Sequence, residues 1–76
     1  MRDTIISILN DINPDIDFEK ETAIIDGKLL DSFDIVTLVG DLNDTFDISI
    51  GVVDLVPENF NSVDAIEALV TRLQET

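Results

Sequence analysis

The chain has no cysteine and no histidine, and only 4 of its 76 residues are Lys or Arg. Without cysteine there is no disulfide, no thiol nucleophile and no thiolate metal site. Without histidine the usual general base at neutral pH is missing. No nucleophile–base pair and no phosphate-binding loop is visible, so the chain is not expected to be an enzyme in its own right. No apolar run approaches the roughly 20 residues of a membrane span. Met1-Arg2-Asp3 leads into a short apolar stretch broken by Ser7, Asn10 and Asp11. That does not read as a secretory signal, and the expected location is the cytoplasm. Internal repeats and low-complexity tracts are also lacking.

Against the 4 cations stand 17 acidic residues, for a formal net charge of −13. Such a surface repels nucleic acid and anionic lipid and favours soluble partners that present Arg and Lys. It also opposes compaction by self-repulsion, so salt or divalent cations should stabilise the fold. Hydrophobic residues make up 45%, enough for a core and unlike a disordered acidic chain. The length implies a single domain over residues 1–76 with marginal stability.

Apolar spacing predicts the elements. Ile5, Ile8, Leu9 and Ile12 form one stripe of a first helix over 3–12, with Ile6 at its edge and Asp3 as N-cap. Asn13-Pro14 ends it. Residues 13–30 make a long connection, expected to be pinned by Ile16, Phe18 and Leu29 or Leu30, with a helical turn over Glu19–Ala23 and a turn at Asp26-Gly27. The strongest helix spans 32–46, with Ile35, Leu38, Val39, Leu42 and Phe46 inward. Gly40 interrupts it at a cost of about 1 kcal/mol relative to Ala, which points to close packing, an approaching partner or simple tolerance. A short helical segment near 52–55 and a turn at 57–60 follow, since Gly51 and Pro57 oppose one long element. Ile48 and Ile50 alternate with Ser49, but a lone strand would lack a partner. Ser62 caps a last helix over 63–74, with Val63, Ile66, Leu69, Val70 and Leu73 on its buried stripe and Arg72 in its last turn. The expected core includes Ile35, Leu38, Leu42, Val53, Ile66 and Leu69. The fold class is all-α, a four-helix bundle with a short third helix and a long first loop.

The stretch Leu29-Leu30-Asp31-Ser32-Phe33-Asp34-Ile35-Val36 delivers a serine to the start of the strongest helix. The first N–H groups of a helix lack intrahelical partners and, with the dipole, favour a phosphate. A phosphodiester on Ser32 suits that place. Asp31 and Asp34 flank the hydroxyl and are able to help hold a metal or the basic groups of a modifying enzyme. The plainer reading is that Ser32 or Asp31 is only the N-cap.

Asp31-Ser32-Phe33, with Asp34 next and Leu29-Leu30 before it, resembles the attachment motif of the acyl carrier protein family. Ser62-Val63-Asp64-Ala65-Ile66 is similar to the start of that family's last helix. The resemblance extends to length, acidity, helix order and the long first loop. It implies the family's four-helix carrier bundle, usually monomeric, with 4′-phosphopantetheine attached to Ser32 and Asp31 beside it. Acyl or aminoacyl cargo would be held as a thioester on the arm, in fatty-acid, D-alanyl or secondary-metabolite pathways. The implied partners are a phosphopantetheinyl transferase and loading and acyl-transfer enzymes with basic patches. Phe33 and Val36 would be exposed apolar contacts beside the arm, and both lie off the buried stripe; packing against the first loop is the alternative. Asp34, Asp41 and Asp44 would face the basic patches, or simply be solvated. Two positions depart from the family pattern: Gly40, where a large apolar residue is frequent, and Phe33, where fatty-acid carriers usually have Leu. In fatty-acid carriers the acyl chain also slips between the helices.

Two other readings compete. Asp11-x-Asn13-x-Asp15-x-Asp17 has the oxygen-ligand spacing of a calcium loop. It places Ile16 where that loop needs Gly and Thr22 where it needs Glu, so no specific metal site is expected. The second is an acidic helical adaptor that binds a basic protein and carries no prosthetic group.

Overall fold

A computed structural model describes residues 1–75. Four α-helices follow in order: α1 (Arg2–Ile12), α2 (Ser32–Phe46), α3 (Pro57–Phe60) and α4 (Val63–Gln74), with a single 3-10 turn over Val52–Asp54 before α3. No strand occurs among the described residues. Helices α1, α2 and α4 pack on one another, and α3 packs on α4 while scarcely meeting α2. The molecule measures 33 × 23 × 19 Å.

The stripes meet in one core. Ile5, Ile8 and Leu9 enter from α1, Leu38 and Leu42 from α2, Phe60 from α3, and Val63, Ile66, Leu69 and Val70 from α4. Ile35, Val39 and Phe46 pack around it half-buried. No polar or charged residue is buried among the described residues, so none pays the desolvation cost of an unpaired group.

Helix α1 starts one residue earlier than its periodicity predicts. The N-cap is Met1, which makes no side-chain cap bond, and Asp3 lies inside the first turn. There its carboxylate sits at the positive end of the dipole instead of capping it. Arg2 pairs with Asp64 of α4, joining the starts of the two helices. The Asp64 hydrogen bond raises the Arg2 pKa above its ordinary value. Helices α2 and α4 occupy the expected spans. Ser62 Oγ accepts the Ala65 N–H at 3.1 Å, so the expected cap is present.

The long loop over 13–30 is tied down at three points. Phe18, Ile24 and Leu30 are buried, while Ile16, Ile25 and Leu29 are half-buried. Of the helical turn expected over Glu19–Ala23, only its start is met, by a turn over 18–20; residues 21–23 are not helical. One turn closes with Lys20 N–H donating to Asp17 O at 3.2 Å, and a second runs over 24–28. Within the second, a Cβ on Gly27 would lie 2.6 Å from the Ala23 carbonyl oxygen, so the chain closes there only around glycine.

Asn61, between α3 and α4, fastens this turn to the bundle. Its carbonyl accepts the Ile24 N–H at 2.9 Å. Its Oδ1 accepts the Ile25 and Asp26 N–H groups, each at 3.0 Å, and its Nδ2 donates to Asp26 Oδ2 at 3.0 Å. After α2, Asp47 adopts the left-handed conformation (φ 54°), and Asn43 Oδ1 accepts the Ile50 N–H at 2.9 Å. Ile48 and Ile50 thus run half-buried without forming a strand.

Val53 is not in the core: it is 86% exposed, and Val52 is 85% exposed. The cause is local. Asp54 Oδ2 accepts the Gly51 N–H at 3.2 Å, and Asn59 Nδ2 donates to the Asp54 carbonyl at 2.9 Å. These bonds hold the acid back over the turn, and the two valines face solvent.

Candidate functional site at the start of α2

Asp31 is the N-cap of α2. Its Oδ1 accepts the Asp34 N–H at 2.8 Å, and Asp34 Oδ2 accepts the Asp31 N–H at 3.4 Å, a reciprocal capping box. This separates the two residues that sequence alone left interchangeable. Asp31 does the capping, and Ser32 is the first helical residue, exposed, with no hydrogen-bond partner for its hydroxyl among the described residues. The Ser32 and Phe33 N–H groups, the first two of the helix, are likewise without partners among the described residues. Ser32 thus lies at open backbone donors and at the positive end of a 15-residue helix, a place that favours an anion. Asp31 and Asp34 each use an oxygen in the capping box and keep lone pairs free for a cation.

Phe33 and Val36 are 79% and 71% exposed. They do not pack against the first loop; they stand off the buried stripe as its spacing predicts. Asp41 and Asp44 are exposed on α2, and Asp34 is half-buried by its capping role. Gly40 is exposed with nothing within 4 Å of the place a Cβ would take, so it marks no close packing within the chain. Residues 29–71 contain nine acids and no Lys or Arg. Helix α2, the 3-10 turn and α3 therefore carry an unrelieved negative charge set with exposed Phe33, Val36, Val52 and Val53.

Beside Ser32 lies a feature that periodicity did not reveal. Ile25, Ile35, Leu55, Val56, Pro57 and Phe60 line a solvent-open cleft of about 110 Å³. Ile35, three residues after Ser32, is its neighbour on the helix surface. The walls come from three separate segments, which is why no local pattern announces the cleft. The only signal was Ile35 itself, placed at the outer end of the α2 stripe. In the Asp11–Asp17 segment, Asn13 Oδ1 accepts the Asp15 N–H at 3.1 Å, so this oxygen supports a local turn.

No protein-family model, curated protein or solved structure matches this chain.

Proposed function

We propose that this chain is a carrier protein, folded as the acyl-carrier type of helical bundle. It would hold acyl or aminoacyl intermediates as thioesters on a 4′-phosphopantetheine arm attached to Ser32. The observation that carries the reading is the division of labour at the start of α2. Asp31 supplies the cap, and Ser32, the first residue of α2, presents a hydroxyl with no partner among the described residues.

Attachment requires Ser32 Oγ to bond to the phosphorus next to the pantetheine of coenzyme A. The bond from that phosphorus to the bridging oxygen breaks, and adenosine 3′,5′-bisphosphate leaves. The hydroxyl proton passes to a base of the transferase, since this chain has no histidine to take it. The arm supplies the thiol that a cysteine-free chain lacks. The chain's own residues supply placement and recognition. Phe33 and Val36 offer apolar contacts beside the serine, and Asp34, Asp41 and Asp44 attract the basic patches of the transferase and of loading and acyl-transfer enzymes.

The alternative, an acidic adaptor without a prosthetic group, draws on the cation-free stretch over 29–71. One experiment separates the two. The chain and its Ser32→Ala variant are incubated with coenzyme A and a broad-specificity phosphopantetheinyl transferase, and intact masses are measured. The carrier reading expects one arm on the wild type and none on the variant. A folded, initially unmodified wild type that gains nothing would leave the adaptor.

A further inference from the structure

The carrier reading makes no use of Asp26-Gly27, yet the chemistry of this pair sets it apart. Every other Asp and Asn in the chain is followed by a residue with a side chain, which shields the next backbone nitrogen from attack on the acid. Glycine has no Cβ to shield its nitrogen. The fold cannot exchange this glycine, because a Cβ there would lie 2.6 Å from the Ala23 carbonyl oxygen. Asp26 and Gly27 are both exposed, so water reaches the link between them.

Two bonds engage the groups that would react. The Gly27 N–H donates to the Ala23 carbonyl at 2.6 Å, and Asn61 Nδ2 donates to Asp26 Oδ2 at 3.0 Å. Attack requires the Gly27 nitrogen to lose its proton and the carboxyl to swing onto it, so both bonds must open first. Asn61 Oδ1 also accepts the Ile25 and Asp26 N–H groups, which fixes the backbone just before the link. The opening is local, since an exposed turn tied down by few bonds opens at lower cost than a core helix.

We propose that Asp26 is a site of spontaneous modification, isomerising to isoaspartate at a rate set by the opening of the Asn61 clamp. The Gly27 N–H proton passes to water, the nitrogen bonds to Asp26 Cγ, and a Cγ–O bond breaks with loss of one water. One water then adds back to the ring. Addition at Cγ restores aspartate. Addition at the Asp26 main-chain carbonyl breaks its bond to the Gly27 nitrogen, so the chain runs on through Cβ and Cγ and the main-chain carboxylate is freed. Mass and charge are unchanged, but the backbone is longer by a methylene. The bonds from Gly27 to Ala23, Lys28 to Ile25 and Leu29 to Ile24 all span this link, so the lengthened chain cannot close the turn. The inference stands whether or not Ser32 carries an arm.

The test holds the full chain for days in mildly acidic buffer, folded or unfolded in guanidinium chloride. An isoaspartyl methyltransferase with a labelled methyl donor counts the product, and fragmentation of the tryptic peptide 21–28 locates it. The folded wild type should isomerise at Asp26 at least about tenfold more slowly than the unfolded chain, because the turn opens only transiently. Asn61→Ala removes the side-chain clamp; Asn61→Asp keeps an acceptor for the two N–H groups but sets a carboxylate against Asp26. Whichever of them folds by circular dichroism should isomerise several-fold faster than the folded wild type. Asp26→Glu, whose longer side chain closes the ring poorly, should leave peptide 21–28 unlabelled. The isomerised wild type, separated by chromatography, should melt below the unmodified protein. Equal rates in the folded and unfolded wild type overturn the inference. So does a folded Asn61 variant that isomerises no faster than the wild type, or a folded wild type without isoaspartate at Asp26 after many half-lives of the unfolded chain.

Discussion

Ser32 and Asp31 stand side by side at a helix start, and both have side chains that cap helices. The structure gives the cap to Asp31, and under the carrier proposal that assignment separates stability from arm attachment. Ser32→Ala should change unfolding free energy by less than about 0.5 kcal/mol, as for an exposed residue without partners, while abolishing arm attachment. Asp31→Ala should cost about 1 kcal/mol through the lost cap. Urea titration of both variants checks this, and the account expects the larger loss at Asp31. The sequence left the two residues interchangeable because aspartate and serine have similar cap preferences; only the bond to the Asp34 N–H distinguishes them. Asn61 was illegible for a different reason. Its partners, Ile24, Ile25 and Asp26, are some 35 residues away in the chain, and a polar residue between two helices gives no hint of a long-range clamp. Asn61→Ala should destabilise by about 0.5–1.5 kcal/mol, because it removes the bonds to the half-buried Ile25 N–H and the exposed Asp26 N–H. A change under about 0.5 kcal/mol, measured by urea titration, would show that water replaces the clamp.

At the scale of elements, α2 and α4 were legible because each combines a continuous apolar stripe with a polar cap. Two independent signals agree on each start. Helix α1 lacks a capping side chain, and its first residue was displaced by one. The 3-10 turn was foreseen as helical, but Val53 was assigned to the core because valine is apolar, whereas its orientation is set by the Asp54 bond to Gly51. A three-residue turn is too short for periodicity to indicate which face is inward. Within α2, Gly40 is exposed and uncrowded. Gly40→Ala should therefore raise stability by about 0.5–1 kcal/mol through helix propensity alone. Thermal melts check it; a destabilised variant would mean that α2 bends at Gly40 in solution.

The whole molecule combines a wholly apolar core with a surface carrying a net charge of −13. Of its four cations, Arg2 and Lys20 lie beside acids, Asp64 and Asp17, and none falls between residues 29 and 71. Self-repulsion acts on the folded state at all ranges within the Debye length, about 10 Å at 0.1 M salt and about 30 Å at 0.01 M. The melting temperature should rise by several degrees between those concentrations, since about 1 kcal/mol corresponds to ~4–8 °C at this size. A salt-independent melt would mean that the charges are too well solvated to matter. The carrier proposal reads the acidic, cation-free face of α2 as a surface for basic partners, and joins it to the unpartnered serine at that helix's start. The most direct test of this joining is mass spectrometry of the protein isolated folded from its own cells, with the peptide containing Ser32 sequenced. The account predicts 4′-phosphopantetheine on Ser32 and on no other residue. A population in which Ser32 is uniformly unmodified would contradict it.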